Sequence, residues 1–572
     1  MQYTWKIGGE AGFGIMTTGL LFAKIAARSG YHIYDFVEYP SLIRGGHNAY
    51  DVTFGDEQVT TLKPLIDLLV CLNKETFDLH KNQMNRGGII LYDPDQFTPE
   101  IEANAIAIPF SKILKNLNGQ VIMKNMVALG ASLALLGADI SELVAILGEQ
   151  FGKKGESIIS LNRSFAEKGY EEIQKSYSKY IYPHLQGKKT QKQMVITGNE
   201  AFAYGAVVAD CRFYAAYPMT PSSGVLTALA GWSNKTGMVV RHAEDEIAVI
   251  NSALGASFAG VRSAVGSSGG GFALMVEAIS MAGITELPVV VFVSQRPGPA
   301  TGMPTWTEQG DLLFSVHAGH GEFQKIVLAP GDHQEMIEMT LKAFDLADIY
   351  QLPVIVLSDM LLSESHASVS FDEVKQLVAE YKPKRGKLIK TADATYKRYA
   401  ITNDGISPRL IPGQKGIFYQ ANSYEHLEDG HTSESAEERI KQVEKRAHKW
   451  DTYLENDFVL PQLYGNLNTA QTVFVGWGST KGVALETIKQ AKLSGKDIAY
   501  IHFSSLYPLH EKKITELFSN IIGKCILVEN NATAQLGKLL RMETGVSITK
   551  KIVRFDGRPL AVEQLLNFKT EK

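Results

Sequence analysis

Three acids, Glu244, Asp245 and Glu246, stand ahead of a stretch with Ile247, Ile250, Leu254 and Phe258 at helical spacing. Acids in a first helical turn usually complement the macrodipole. A carboxylate turned inward instead needs a partner, because burying it alone is costly. Glu246 shares a helix face with Val249, Ile250 and Ala253, but periodicity does not choose among the three acids. Upstream, FYAAYPMTPSSGVLTALAGW (213–232) reads as a strand, a tight turn and a helix, with Thr220 as N-cap and Pro221 as first helical residue. A helix N-terminus at the carboxyl end of a parallel strand attracts anions, so the Thr220 hydroxyl serves either as a cap or as a ligand donor. Arg296 follows an apolar run ending at Ser294 and opens the Gly/Pro/Thr loop QRPGPATGMPT. That places it at a strand's carboxyl end, where a guanidinium suits bidentate carboxylate binding. SSGGG (267–271) follows the strand-like VRSAVG and reads as a flexible turn or as a place where another molecule approaches the backbone.

The elements that must position these residues follow from the apolar runs. LPVVVFVS (287–294) and LPVIVLSD (352–359) are apolar on both faces and alternate with helical stretches, which predicts a parallel sheet covered on both sides. TVFVGWGS, IAYIHFSS, KCILVENN and KKIVRFDG repeat the pattern in the last part of the chain. Near the start, Gly9, Gly12 and Gly14 lie between a strand and the helix-like MTTGLLFAKIAARSG. Position 17 is threonine, so the strict dinucleotide fingerprint is not met and a tight strand-to-helix turn is expected. Arg44 stands beside two glycines in YPSLIRGGHN, a phosphate contact or a turn. The expected fold class is α/β with several parallel-sheet domains, bounded at 1–185, 195–374, a polar connector 375–450, and 451–572. SESAEERIKQVEKRAHKW within the connector is helix-like.

Composition excludes several classes. The 572 residues carry a net charge of -4 with signs interspersed, which predicts neither a nucleic-acid groove nor an anionic membrane surface. The apolar stretch Met126 to Ala138 is too short to span a bilayer and no secretory leader pattern opens the chain, so a cytoplasmic protein is expected. Cys71, Cys211 and Cys525 are far apart, which leaves no disulfide framework and no CxxC metal site. An iron-sulfur cluster would need another chain's thiolates.

GGEAGFG, YPSLIRGGHN, YPMTPSS, EDEIAVINSALGASFAG, QRPGPATGMPTWTEQ, VENNATAQLG and RFDGRP, in that order, resemble the signature of 2-oxoacid:ferredoxin oxidoreductases over nearly the whole chain. With a γ domain ahead of α, and NDGISPRLIPG in the connector, the chain is most similar to the 2-oxoglutarate type. The resemblance implies CoA-dependent oxidative decarboxylation of a 2-oxoacid with reduction of ferredoxin. Pyruvate and branched-chain acids are the alternative substrates, and a non-catalytic scaffold the alternative class. It also implies thiamine diphosphate held by a pyrimidine-binding middle domain, a CoA-associated first domain and a transketolase C-terminal-like last domain. Spacing to Gly255 and Gly260 assigns to Glu246 the family glutamate that bonds the aminopyrimidine. Thr220, Arg296 and Thr305 take the substrate-binding roles, and Tyr217, Pro218, Ser268 and Gly269 the cofactor contacts. Gly12, Gly14 and Arg44 are assigned to CoA. No GDG with paired asparagines is present, so Mg2+ and the 4Fe-4S cluster are expected on a β subunit, in an (αβ)2 heterotetramer. Two departures stand out: Trp306 where many relatives have a basic residue, and SSGGG in place of SSGPG.

Overall fold

Runs that are apolar on both faces become the inner strands of sheets. In the computed structural model, which describes residues 2–40, 46–100, 104–188 and 191–568, the chain divides into two units. One comprises 1–197 with 365–379, and the other 198–364 with 380–572.

The first unit is built on an eight-stranded sheet. Its strand Gln2–Glu10 runs parallel to Ile66–Cys71 but antiparallel to His47–Gly55, which also pairs antiparallel with His32–Glu38. The sheet is therefore mixed rather than purely parallel, because a short connection between neighbouring strands reverses direction. The apolar stretch near Met126 is the helix Lys124–Leu135, buried along its whole length. No described helix is long and apolar enough to cross a membrane.

The two units do not separate 375–450 or 451–572 from the middle part of the chain, and the segment 365–379 returns to the first unit. The strand His366–Ser370, which the sequence places in the middle domain, pairs with Gln193–Thr197 and with Tyr34 in the first unit's sheet. Tertiary bonds hold it there: the His366 N–H donates to Asp35 Oδ1 (2.5 Å) and Ser368 Oγ accepts from the Ile33 N–H (2.9 Å).

Among its described residues the second unit contains two large sheets and a two-stranded one, Leu388–Ile389 with Arg409–Leu410. The larger has the order Ser505–Tyr507, Ile326–Leu328, Pro353–Asp359, Val289–Gln295, Arg262–Ser267, Cys211–Ala216, Val239–His242. All its pairs are parallel except the first. The two long apolar runs are its central neighbours, in register Val289↔Pro353 to Gln295↔Asp359. The smaller sheet takes its four parallel strands from the four apolar runs of the last part of the chain. The connector ends in the helix Ala436–Asn456, capped by Ser435. Despite its polar composition it docks firmly, because Lys445 and Lys449 both pair with the fully buried Glu286.

Candidate active site

The carboxyl ends of the parallel strands carry the residues with chemical potential. Asp245 accepts from the Ala248 N–H (2.8 Å) and caps the helix Glu246–Phe258, which settles the role of one of the three acids. Glu246, the first helical residue, is turned inward and only 3% exposed. The buried face is Glu246, Val249, Ile250, Ala253, Leu254 and Ser257. Ile247 and Phe258, which helical spacing put in the apolar stripe, are 51% and 38% exposed. The stripe is thus rotated toward the glutamate.

SSGGG is not a loose turn. Ser267 ends a strand, Ser268 is the N-cap, and Gly269, Gly270 and Gly271 form the first turn of the helix Gly269–Thr285. The Glu246 carboxylate lies against this turn, since a Cβ at Gly271 would overlap both Glu246 Oε1 and Ser267 Oγ. Among the described residues, neither Glu246 Oε1 nor Ser268 Oγ has a hydrogen-bond partner, though both are buried. Buried polar atoms normally find partners, because leaving one unmet costs about 1–3 kcal/mol. A carboxylate oxygen and a hydroxyl, both unmet beside a glycine turn, therefore mark a place shaped for another molecule. Gly270 is exposed, and a Cβ there would come no nearer than 4.0 Å to Ala300 O and Met219 Sδ. The YPMTPSS turn and the PGPA loop thus meet over it.

The helix after YPMTPSS begins later than capping rules indicate. It spans Ser223–Thr236 with Ser222 at the N-cap, so Thr220 is not the cap and Pro221 is not the first helical residue. Both are held outside by tertiary bonds: Arg296 Nη1 donates to Thr220 O (2.6 Å), and Asn199 Nδ2 to Pro221 O (2.8 Å). Thr220 and Arg296 are thereby brought together. Thr305 is buried in the same loop as Arg296, at 4% exposure. Tyr217 (40% exposed) and Pro218 are exposed on the turn, with the Tyr217 ring 6.2 Å from His242, so neither closes around Glu246.

In the first unit, Gly12 (φ 97°) and Gly14 (φ 73°) form the expected strand-to-helix turn, with Gly14 as N-cap of Ile15–Arg28. Asn125 Nδ2 bonds Gly14 O at 3.4 Å. Arg44 lies outside the described residues.

Two acids escaped the sequence reading. The Asp311 carboxylate sits within 2.5–3.0 Å of where a Gly269 Cβ would be, and its N–H donates to Gln295 Oε1 (2.9 Å). Burial raises the Asp311 pKa to about 6, with the Arg296 charge opposing the shift. Burial, reinforced by the Asp311 charge, raises Glu308 to about 7. Burial also pulls Arg296 down, against the pull of Asp311. The available signal was the pair of acids in TEQGD, directly after the arginine loop.

Carboxyls with raised native pKa values stabilise the fold below their unfolded pKa values and lose that contribution as pH rises through about 6 and about 7. The double variant Glu308→Gln, Asp311→Asn should therefore match the wild type in Tm at pH 4 and exceed it at pH 8. Thermal melts across that range check this, and a Tm difference independent of pH would contradict it.

The comparisons with known proteins point one way. Residues 204–445 match the family described as pyruvate flavodoxin/ferredoxin oxidoreductase, thiamine diphosphate-binding. Residues 4–172 match the family described as pyruvate ferredoxin/flavodoxin oxidoreductase. The chain is 32% identical to the 2-oxoacid:ferredoxin oxidoreductase subunit alpha of a Sulfolobus species, over 99% of this chain and 96% of that one. It is 27% identical to the 2-oxoglutarate oxidoreductase subunit KorA of Mycobacterium tuberculosis, over 88% and 82%. Among solved structures, the 2-oxoglutarate:ferredoxin oxidoreductase from Magnetococcus marinus, with 2-oxoglutarate, coenzyme A and succinyl-CoA bound, superposes with a TM-score of 0.90 at 31% identity, covering 99% and 98% of the chains. With sequence and fold matched from end to end, the chain belongs to the family of 2-oxoacid:ferredoxin oxidoreductase alpha subunits.

Proposed function

We propose that this chain is the catalytic alpha subunit of a cytoplasmic enzyme that converts 2-oxoglutarate and CoA to succinyl-CoA and CO2, passing two electrons to ferredoxin. The observation that carries the reading is the buried, unpartnered Glu246 carboxylate against the glycine turn. It fits the aminopyrimidine of thiamine diphosphate, a flat ring with a nitrogen that a carboxyl group can bond and a face that demands close backbone approach.

When bound, the cofactor acts as an electron sink at the substrate's carbonyl carbon. Glu246 holds a proton at the ring nitrogen. Arg296, fixed by its bond to Thr220 O, meets the substrate carboxylate together with the Thr220 hydroxyl, while Thr305 flanks them. Ser268 and Gly269 line the cofactor face, with Tyr217 and Pro218 at its exposed rim. Gly12, Gly14 and Arg44 belong to the CoA-associated γ domain (1–185). The pyrimidine-binding domain is read over 195–374, apart from the residues up to Thr197 and from Ser365 onward that belong to the first unit, and the connector over 375–450. The last domain, 451–572, is transketolase C-terminal-like.

A β subunit completes the enzyme as an (αβ)2 heterotetramer, supplying the Mg2+ site and the 4Fe-4S cluster. In support, the three cysteines of this chain are buried and far apart in the sequence. The 2-oxoglutarate preference rests on the similarity to KorA subunits and to the Magnetococcus enzyme.

The test is anaerobic, CoA-dependent methyl viologen reduction by the chain co-purified with its β subunit, with 2-oxoglutarate, pyruvate and a branched-chain 2-oxoacid in parallel. Highest kcat/KM with 2-oxoglutarate is expected. Preference for pyruvate would replace the substrate assignment, and turnover of none of the acids would overturn the functional reading. Gly271→Ala probes the glycine turn in the same assay. Its Cβ must displace Glu246 or Ser267, and a catalytic group moved by about 1 Å loses on the order of 10²-fold in rate. The variant should show that loss in kcat together with weaker thiamine diphosphate binding by calorimetry.

A further inference from the structure

The crevice at the carboxyl ends of parallel strands is where open α/β sheets bind their ligands. In the last part of the chain that crevice, at the ends of the paired strands Thr472–Trp477 and Cys525–Glu529, is filled by a segment of the chain itself. Gln309, fully buried, lies there with its main chain and both ends of its amide bonded. Its N–H donates to Asn530 O (2.7 Å), and its carbonyl accepts from Asn531 Nδ2 (3.2 Å). Its side-chain oxygen accepts from the Asn530 N–H (2.9 Å), and Nε2 donates to Trp477 O (2.9 Å). A Cβ at Gly478 would lie 2.8 Å from Gln309 Nε2, so the backbone closes tightly on the amide.

The neighbours of Gln309 are fastened in the same way. Gln535 Nε2 donates to Gly310 O (2.6 Å), and Gln535 Oε1 accepts from the Leu313 N–H (2.9 Å). The Thr307 N–H donates to Gly557 O (3.2 Å). VENNATAQLG and RFDGRP thus both grip the segment that follows the arginine loop.

That segment reaches the candidate site. The Asp311 N–H donates to the side chain of Gln295 (2.9 Å), the residue before Arg296, and Gln295 Nε2 donates to Ser358 O (2.9 Å). The Asp311 carboxylate lies against Gly269 in the glycine turn, and its charge acts on Arg296. Thr305, buried, stands just ahead of the gripped residues. A displacement of Gln309 is therefore passed on to the strand end that presents Arg296 and to the turn that packs against Glu246.

We propose that Gln309 is a positioning residue: held by Trp477, Asn530 and Asn531, it fixes Thr305 and Asp311 relative to Arg296 and the glycine turn. The inference rests on the functional reading above and gives the last part of the chain a share in substrate binding.

The test uses the complete complex with its β subunit, with rates expressed per bound thiamine diphosphate. Gln309→Met keeps the length of the side chain and removes its amide. It should lower kcat/KM for 2-oxoglutarate by about 10–100-fold, the scale of loss when a distant change misplaces a binding group, with most of the loss in KM. Gln535→Met, at a half-buried position, is the milder variant and should raise KM by about 2–10-fold, the usual cost of a lost hydrogen bond. Gln535→Glu keeps the acceptor for the Leu313 N–H and should recover part of that rise. If Gln309→Met does not fold, the two Gln535 variants decide. A role in stability alone would lower Tm and the fraction of active enzyme while leaving KM at the wild-type value, and that result overturns the proposal. A wild type that turns over none of the 2-oxoacids marks instead the failure of the functional reading, and the positioning role falls with it.

Discussion

Glu246→Gln, in the chain assembled with its β subunit, is expected to lower kcat by roughly 10²–10⁴-fold, the range lost when a positioned proton-holding group is removed. Glutamine keeps the shape of the side chain but cannot hold a proton as a carboxyl does. The local fold is safe, because the helix start depends on Asp245 and its bond to the Ala248 N–H. Stability should move in the opposite direction to activity. Glu246 is 3% exposed with one oxygen unpartnered among the described residues, so replacing the carboxylate with a neutral amide removes a desolvation cost. A raised or unchanged Tm with lost turnover is the signature of a residue kept for chemistry. Melting curves and single-turnover rates on the same preparation check both halves. Unchanged turnover in the variant would return Glu246 to the role of helix-dipole partner and favour a scaffold subunit.

Arg296→Met should raise KM for the 2-oxoacid by roughly 10–100-fold, since the guanidinium is half-buried and a hydrogen bond to a charged group is worth about 1.5–3 kcal/mol. The guanidinium bonds Thr220 O at 2.6 Å, so its loss also releases the turn that carries the Thr220 hydroxyl. Asp311 gives the variant a second consequence. The Arg296 charge opposes the rise of the Asp311 pKa, and without it the Asp311 carboxyl should titrate above about 6. Initial-rate kinetics from pH 5.5 to 8 in wild type and variant measure both effects. Arg296→Lys should recover only part of KM, because an ammonium restores charge without the planar fork. An unchanged KM in Arg296→Met would remove the arginine from substrate binding.

Local physics accounts for much of what was legible in the sequence. Val289–Gln295 and Pro353–Asp359 are apolar on both faces, and only a position between other strands and under helices satisfies that pattern. Their pairing as central neighbours follows directly. The order of the short motifs was enough to place the chain in its family, and the apolar runs locate the strand ends at Ser267 and just before Arg296. Helical periodicity indicated that Glu246 shares a face with Val249, Ile250 and Ala253, and that face is the buried one.

Contacts between distant segments decided the rest. Thr220 satisfies every local rule for an N-cap, yet Arg296 takes its carbonyl and Asn199 takes that of Pro221, which delays the helix to Ser223. Three glycines in a row suggest looseness, yet Gly269–Gly271 are helical, and a Cβ at Gly269 or Gly271 would overlap Asp311 or Glu246. Strand His366–Ser370 looks like part of the middle domain and completes a sheet whose first strand is at Gln2. The stacking of Arg558 on Trp306 joins positions 252 residues apart. By itself the sequence determined which segments are strands and helices, the family, and the residue types able to hold a carboxylate, because those depend on neighbours within a few positions. Which of three acids is buried and which threonine atom meets the arginine were decided only by the tertiary structure, because each depends on groups that folding alone brings within hydrogen-bonding distance.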